Sequence, residues 1–544
     1  MFKLPITYRK HYPVPITMIK DLELKDTVDT GLSMYDRLFD PKTELAKATA
    51  RQWDVFTDDT SFLEETVRLV RETEMPVHAP DEFLECWRRV QDTADFTTVF
   101  QFIEQKQLEI LNTSSKFLCA LSVYSMTSPL LFIISPLIML LIPFVMLKAK
   151  NMPVTWSEYR ILLMGILKNH AIGGLVTGFA GASINQKMYL VVVAVFFGIQ
   201  MYSNVQTCFT FFKNIRYVHL TLNRAKSYAD HILKTVDAFK EIIVKGLPTY
   251  EHFTIDMNEH AQVLRDYHTQ LCAVRPGSLT WGEVAQMGNV RQLFYRLKTD
   301  VKLKNAFEYS FGLHGFAENI SMLKTKLGND VNACTFGNET KFSKAVYVGT
   351  KHRPNSYVVS NCAITGPNAA GKTTFIKTTM LNVLFSQQFG MGYYKTATVN
   401  PYQALCCYLN IPDTSGRDSL FQAEARRCKE IINSIQETRI LCIFDELFSG
   451  TNPAEASASA YAFLLYLVSK PQCTFLLTTH FLDVCSKIEG TSIKNMNMKT
   501  QGMGESLKYL YKFSKGISRV KGGVQVLQDL GYPTSIVECA KAWR

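Results

Sequence analysis

The chain has 544 residues, of which 47% are apolar and 20% are charged, and its formal net charge is +11. This length suffices for three or four domains, and the composition excludes a disordered chain and a small disulfide-stapled scaffold. The charge is uneven, because residues 1–116 sum to −6 and residues 494–544 sum to +6. The thirteen cysteines form no CxxC pair or metal-ligand spacing, which indicates reduced thiols in a protein that faces the cytosol.

The first region, residues 1–116, is acidic and rich in helical patterns. Apolar residues recur at helical spacing over residues 58–73 and 81–112. No motif in this region indicates a chemistry. We therefore expect a soluble α-helical region.

Two uncharged segments follow, over residues 117–147 and 188–212, and a basic loop separates them. The first has 31 residues without a charge, whereas about 20 suffice to cross a bilayer. The alternative is a pair of core helices in a soluble domain, but such cores rarely sustain this length without one charged face. We predict a membrane region over residues 117–212, built as a transmembrane helical hairpin.

The next segment, residues 213–345, has Leu, Val and Phe at three- and four-residue spacings, most clearly over residues 228–244 and 290–303. This spacing is typical of amphipathic helices. We expect a helical lever or connector.

A phosphate-binding pattern begins at residue 366. Residues 358–365 are predicted as a buried strand, and a helical pattern covers residues 375–389. Between them lies GxxxxGK[ST], the Walker A or P-loop pattern, formed by Gly366, Pro367, Asn368, Ala369, Ala370, Gly371, Lys372, Thr373 and Thr374. Backbone N–H groups of such a loop surround phosphates, Lys372 reaches the β and γ phosphates, and the Thr373 hydroxyl is a ligand for Mg²⁺. The pattern predicts ATP and Mg²⁺ as cofactors.

Two further strands end in polar residues. The apolar strand over residues 439–444 is followed by Asp445 and Glu446, a Walker B pattern, and the strand over residues 473–477 leads to His480. Strand ends are where an α/β sheet presents side chains to a ligand. We expect Asp445 to hold Mg²⁺ through water and Glu446 to orient or deprotonate the attacking water. His480 is expected to sense the γ-phosphate, and Lys372, Glu446 and His480 form the predicted catalytic set.

Five segments resemble the ATPase domain of the MutS family of DNA mismatch repair proteins, in the family's order. They are residues 364–378, 413–433, 444–462, 476–480 and 509–543. The resemblance implies an α/β ATPase domain of the ABC type over residues 346–493. It also implies a dimerisation helix-turn-helix tail over residues 494–544, preceded here by helical regions and the hairpin.

The resemblance also assigns roles to residues outside the phosphate loop. It implies a homodimer that encloses ATP between its two ATPase domains, with Ser419 bound in trans to the γ-phosphate of the opposite subunit. It places Asn368 near the phosphates and Phe421 and Glu424 in the signature with Ser419. Gly450, Thr451 and Asn452 then fall in the segment that crosses the dimer interface.

The chain departs from the family pattern at several positions. Ser449 stands where mismatch-repair members usually have Arg, Glu455 where they have Asp, and Leu420 where they have Thr. No N-terminal mismatch-reading domain is evident. If DNA is bound, we expect electrostatic binding that is indifferent to mismatches. The expected surface is a basic helical stretch, for which a solvated helix face is the alternative: Arg291, Arg296, Lys298, Lys302 and Lys304.

These observations predict a dimeric, membrane-tethered ATPase that couples ATP turnover to DNA binding. Because the ATPase domain needs ATP, we expect a multi-pass protein with its N-terminus and ATPase domain in the cytosol. One alternative is a membrane scaffold whose dimerisation is controlled by ATP. Another is a transporter-like ATPase, which two crossings and the sequence SGRDSLF in place of LSGGQ disfavour.

Overall fold

The structure is a computed structural model that describes residues 6, 8–27, 31–74, 82–149, 155–169, 183–274, 281–350, 353–409, 419–435, 438–503, 506–520 and 522–542. The chain divides into two compact units. The first consists of Met1–Ala79, Lys234–His260 and Glu308–Arg544, and the second of Pro80–Leu233 and Ala261–Phe307. This division differs from the predicted one, because the first 79 residues belong to the same unit as the ATPase-like region.

The helices of the described residues are numbered in chain order. They are α1 (Ile16–Asp21), α2 (Met34–Phe39), α3 (Glu44–Ala50), α4 (Thr60–Glu72), α5 (Glu82–Asp92), α6 (Phe96–Val99), α7 (Ser115–Ala149), α8 (Trp156–Asn169), α9 (Ile184–Val244), α10 (Phe253–Ala273), α11 (Trp281–Thr299), α12 (Val301–Lys326), α13 (Lys372–Phe389), α14 (Leu420–Ser434), α15 (Pro453–Val468), α16 (Leu482–Lys487), α17 (Gly522–Asp529) and α18 (Thr534–Ala542). Short 3-10 helices cover Lys106–Thr113 and Pro248–Tyr250.

The strands are numbered in the same way. They are β1 (Tyr12–Pro13), β2 (Val55–Phe56), β3 (Asn332–Phe336), β4 (Lys341–Ala345), β5 (Asn355–Val358), β6 (Cys362–Thr365), β7 (Met391–Gly392), β8 (Thr396–Val399), β9 (Ala404–Tyr408), β10 (Ile440–Asp445), β11 (Cys473–Thr478), β12 (Lys494–Met503) and β13 (Ser506–Lys515). The first two pair with each other in a small antiparallel sheet.

The central element of the first unit is a six-stranded sheet in the order β13-β12-β6-β11-β10-β9. Five of its strands, from β12 to β9 in this order, are parallel, and β13 at the edge is antiparallel to β12. Parallel strands of this kind are buried on both faces, as the continuous apolar runs of β10 and β11 require. A second sheet has the order β5-β4-β8-β3-β7. The observed domain is therefore of the α/β class, as predicted.

The N-terminal segment packs against the C-terminal end of α13. Gly390 ends this helix at φ +70°, and an added Cβ there would lie 2.6 Å from the Leu63 carbonyl oxygen of α4. The buried Gln388 side chain donates to the Tyr35 hydroxyl at 2.9 Å and to the Val55 carbonyl at 3.0 Å. Buried polar groups need such partners. These bonds explain why the N-terminal segment is part of the first unit.

Several elements differ from the predicted ones because tertiary contacts override local patterns. The predicted strand over residues 358–365 is two strands, β5 and β6, which belong to different sheets. Residues 332–345, expected in the helical connector, form β3 and β4. The helical pattern over residues 81–112 is interrupted, since the buried Asn112 side chain bonds both the N–H and the carbonyl of Ile103 at 2.9 Å and holds that segment extended.

The second unit contains the long apolar helix α7 and most of the long helix α9, whose residues from Lys234 onward belong to the first unit. Each has a window long and apolar enough to cross a membrane, with a mean hydropathy of 1.9 within Ser115–Ile134 and 1.6 within Lys187–Val244. Only 22% and 6% of these windows are buried, unlike the core helices of soluble proteins. Large apolar side chains such as Leu130 and Phe196 are 57% and 68% exposed. Of the predicted basic loop, the structure describes α8 and a few flanking residues.

Candidate active site

The loop over residues 366–371 connects the end of β6 to the start of α13. Its last residue, Gly371, has φ +89°, and an added Cβ would lie 3.0 Å from the Tyr511 ring. Ala369 also has a positive φ, +62°, which is uncommon for a residue other than glycine. The backbone of the predicted phosphate loop therefore depends on glycine at residue 371.

Lys372 is the first residue of α13, and its side chain folds back over this loop. Its ammonium group donates to the carbonyl oxygens of Gly366 at 3.1 Å and Pro367 at 3.4 Å. The residue is only 6% exposed. Burial lowers the pKa of Lys372, while the nearby carboxylates Glu446 and Asp445 oppose that change. A positive charge is thus held against the loop by neutral acceptors.

Asp445 ends β10 next to the start of α13. Its carboxylate accepts a hydrogen bond from the Thr373 hydroxyl at 2.8 Å and a second one from the Thr478 hydroxyl. Parallel pairing of β10 with β11 places Asp445 directly beside Thr478. A carboxylate and a hydroxyl side by side match the oxygen ligands that Mg²⁺ prefers, and Mg²⁺ usually keeps several waters or phosphate oxygens as its other ligands.

Glu446 and His480 form a pair beside Lys372. His480 Nε2 lies 2.9 Å from Glu446 Oε1 and 3.2 Å from Lys372 Nζ. The hydrogen bond from His480 is the main reason that the pKa of Glu446 is lowered, and the charges of His480 and Lys372 add to it. Glu446 has φ +53°, a conformation that is rare for this residue type and is often found at functional sites. Glu446 is therefore an ionised, oriented carboxylate.

The structure brings together five of the predicted side chains, namely Lys372, Thr373, Asp445, Glu446 and His480. Ser419 lies elsewhere, exposed at the N-terminus of α14. It accepts a hydrogen bond from the Gln422 N–H at 3.3 Å, and the Gln422 side chain accepts from the Ser419 N–H at 3.0 Å. This capping box fixes the start of α14 and leaves Ser419 at the surface.

Glu424, four residues into the same helix, fixes the segment after β10. Its carboxylate is 2% exposed and accepts from the Ser449 N–H at 3.0 Å, the Ser449 hydroxyl at 2.9 Å and the Gly450 N–H at 3.1 Å. An added Cβ at Gly450 would lie 2.8 Å from the Phe421 N. The departure at Ser449 therefore supplies a donor to a buried carboxylate. Sequence reasoning did not anticipate that link.

The segment continues into α15. The Asn452 side chain caps that helix by accepting from the Ala454 N–H at 2.9 Å, and the Thr451 hydroxyl donates to Glu455 at 3.0 Å. The departure at Glu455 thus retains a carboxylate bonded within the segment.

Sequence reasoning missed a cavity of about 700 Å³ beside the loop. Its lining residues come from separate segments of the chain and include Tyr347, Arg353, Tyr357, Thr374, Met498 and Tyr511. The Arg353 guanidinium lies 3.6 Å from the centre of the Tyr511 ring, a cation–π contact. No local motif unites these residues, because the two sheets bring them together. A partly aromatic cavity next to the predicted phosphate loop has the chemistry that suits a nucleotide base.

The predicted DNA surface is wrong at Arg291, whereas three of its other cations are half-buried and one, Lys302, is exposed: Arg296, Lys298 and Lys304 are the half-buried ones. Arg291 is 2% exposed, and its guanidinium donates to two backbone carbonyls and a serine hydroxyl. Arg296 pairs with Asp300 at 2.9 Å, and Lys298 donates to a backbone carbonyl at 2.6 Å. The helical pattern did not distinguish the buried face of α11 from the solvated one. Phosphate contacts require cations that are free at the surface.

Comparison with known proteins identifies the C-terminal third of the chain. Residues 362–544 match the family model of MutS domain V. The DNA mismatch repair protein MutS of Borrelia turicatae is 28% identical over 204 residues, which are 37% of this chain and 23% of the relative. That of Orientia tsutsugamushi is 31% identical over 187 residues, 33% of this chain and 20% of the relative.

A human relative extends the match. MutS protein homolog 4 of Homo sapiens is 28% identical over 270 residues, which are 44% of this chain and 28% of the relative. The matched region of the chain thus spans about a quarter of the length of these relatives. MutS domain V is an ATPase-type α/β domain, the class that the two sheets and α13 show. The C-terminal region of the chain, residues 362–544, therefore matches domain V of the MutS family.

Proposed function

We propose that this protein binds and hydrolyses ATP with Mg²⁺ at the edge where β6, β10 and β11 end. The observation that supports this most is the presence of two hydrogen-bonded groups side by side. In one, His480 contacts both Lys372 and Glu446, and in the other, Thr373 bonds Asp445. Lys372 is a cation for the phosphates, Thr373 and Asp445 are oxygen ligands for the metal, and Glu446, held by His480, is a base for the attacking water. MutS relatives support the same assignment through the matched domain.

The residues of the chain divide the chemistry between them. The Lys372 ammonium exchanges its carbonyl acceptors in the loop for phosphate oxygens of ATP. Thr373 and Asp445 would hold Mg²⁺, which would supply positive charge to the phosphates. Glu446 accepts a proton from a water molecule, whose oxygen bonds to the γ-phosphorus while the bond to the bridging oxygen of ADP breaks. His480 keeps Glu446 ionised and oriented.

The cavity lined by Arg353 and Tyr511 would receive the adenine, since Gly371 and Thr374 of the phosphate loop and α13 line the same cavity. Ser419 lies at the surface, apart from these residues, so it would act in trans in a homodimer, as the family resemblance implies.

Phosphate release from ATP by the detergent-solubilised full chain tests this proposal. We expect turnover that requires Mg²⁺ and disappears when EDTA is added, because only one carboxylate and one hydroxyl of the protein, those of Asp445 and Thr373, would hold the metal. Adding Mg²⁺ back should restore turnover. Turnover that is insensitive to EDTA, or no turnover at any Mg²⁺ concentration, would contradict the proposal.

We also propose that α7 and the first part of α9 cross a membrane, with the ATPase domain in the cytosol. The supporting observation is the exposure of their apolar side chains, which water would disfavour by roughly 25 cal/mol per Å². Alkaline carbonate should leave the chain in the membrane pellet. Release into the supernatant would return these helices to the soluble-core alternative.

The sidedness of the hairpin has its own test. On a background without native cysteines, Ser157→Cys in α8 should be labelled from the side opposite the ATPase domain. Lys395→Cys, an exposed position of the ATPase unit, is the matched control and should be labelled only from the cytosolic side. Equal labelling of both from one side would contradict the proposed hairpin.

Finally, we propose that ATP turnover is coupled to DNA binding with little discrimination of mismatches, in a protein related to the mismatch-repair family. The alternatives are a membrane scaffold and a transporter-like ATPase that acts on a protein or a small molecule. The exposed apolar helices support a membrane role equally in all three cases. A surface with unpaired, exposed cations would favour DNA as the partner over a protein or a small molecule.

A further inference from the structure

The ATPase unit has a strongly basic segment that the active site does not use. Between residues 494 and 519 the sequence has five lysines and one arginine, against the single acidic residue Glu505. All six cations are exposed: Lys494, Lys499, Lys508, Lys512, Lys515 and Arg519. None of them forms an ion pair with a carboxylate among the residues that the structure describes.

The pairing of β12 and β13 makes part of this segment a two-stranded ribbon. β12 pairs with β6 only from Lys494 to Asn497, where β6 ends. Beyond that point, β12 pairs within the described residues only with β13. Residues 498–503 and 506–513, which we call the ribbon, thus extend past the parallel part of the sheet.

The cations lie on one face of the ribbon. Lys499 pairs directly with Lys512, and Gln501 pairs directly with Lys508. The register shifts between Lys499 and Thr500, where β13 has two residues more than β12, Leu510 and Tyr511. Directly paired residues of antiparallel strands point to the same side, and so do residues two apart on one strand. Because the number of extra residues is even, the alternation of the two strands stays in step, and Lys499, Gln501, Lys508 and Lys512 share a face. The opposite face includes Met498, which is buried and lines the base cavity.

Two lysines directly opposite each other are unfavourable in an isolated sheet. Lys512 turns its ammonium to the Pro354 carbonyl at 3.0 Å, whereas the structure gives Lys499 no such acceptor among the described residues. An anionic partner would remove this repulsion. Membrane-binding surfaces combine cations with exposed apolar groups. In the described part of residues 494–519 no large apolar side chain is exposed, which favours a nucleic acid over a membrane as the anionic partner.

We infer that the lysine face of the ribbon binds the phosphate backbone of double-stranded nucleic acid. A two-stranded ribbon fits the major groove, which is about 12 Å wide. Because the other face lines the base cavity, the duplex would contact the same strands as the nucleotide. This inference rests on the proposed coupling of ATP turnover to DNA, and it names the surface responsible.

The test compares full-length, detergent-solubilised variants in titrations of a fluorescein-labelled duplex at several salt concentrations. For Lys499→Gln with Lys508→Gln, we expect binding about tenfold weaker and a salt slope shallower by about two, since each lost phosphate contact removes about 0.9 from that slope. The control variant, Lys20→Gln with Lys47→Gln, removes the same charge from exposed positions on α1 and α3 of the same unit and should bind the duplex as the native chain does. Lys499→Arg with Lys508→Arg should retain binding.

Three results would overturn the inference. The first is unchanged duplex affinity and salt slope in the ribbon variant, Lys499→Gln with Lys508→Gln. The second is an equal loss in the control variant. The third is a ribbon variant that binds the duplex as the native chain does but no longer binds vesicles of phosphatidylserine and phosphatidylcholine, which would assign the face to lipid. ATP hydrolysis by the native chain distinguishes failure of this inference from failure of the proposed function. Turnover without ribbon-dependent duplex binding rejects only this inference, whereas no turnover rejects the proposed function.

Discussion

Replacing Glu446 by glutamine is expected to lower ATP turnover by about a hundredfold to ten-thousandfold, the usual contribution of a general base. Glutamine retains the size of the side chain and can still bond His480, but it cannot accept the proton of the attacking water. Lys372, Thr373 and Asp445 are untouched, so ATP binding should persist. The measurement is phosphate release together with binding of a fluorescent ATP analogue.

A matched variant makes this result specific. Glu489→Gln removes an exposed carboxylate of the same unit and should leave turnover unchanged. The Glu446→Gln chain should also remain longer as the ATP-bound dimer, because closure no longer ends in hydrolysis. If turnover in Glu446→Gln stayed within a fewfold of the native chain, another group would be the base.

The pH dependence provides an independent check on the same pair. His480 lowers the pKa of Glu446 below its ordinary value, so the carboxylate remains the ionised base to lower pH than a solvated glutamate would. Turnover limited by this base is lost as the pH falls through the pKa of Glu446. Removing the hydrogen bond by His480→Ala should move that acid limb to higher pH.

The placement of the candidate site residues was predictable because they lie in short local motifs. The positions of Lys372, Thr373, Asp445, Glu446 and His480 follow from a phosphate-loop pattern and two strand ends, and a parallel sheet gathers strand ends at one edge. The structure confirms the α/β class of the domain and places these five side chains together. Ser419 in trans and the membrane hairpin stay predictions.

What could not be predicted depends on contacts between distant segments. The N-terminal segment shows ordinary helical patterns, and nothing local indicates that Tyr35 and Val55 would bond Gln388 at the end of α13. The cavity beside Tyr511 is likewise assembled from separate segments. The assignment of Arg291 to a DNA surface failed for a related reason, since charge in a sequence does not reveal whether a side chain is buried.

The second large effect concerns the dimer. Lys372→Ala should abolish turnover, because the phosphates lose their buried cation, and Ser419→Ala should abolish it because the γ-phosphate loses its contact from the opposite subunit. Both variants should still form dimers. Their secondary structure, measured by circular dichroism, should match that of the native chain.

Mixing these two inactive chains tests the central claim, an ATPase site shared between two subunits, most directly. Each heterodimer has one site with both Lys372 and Ser419 intact, so random pairing should restore about a quarter of native turnover. Recovery to about that level, dependent on subunit exchange, is the result that we predict. If either variant is active alone, or if the exchanged mixture stays inactive while heterodimers are detected, the shared site is contradicted.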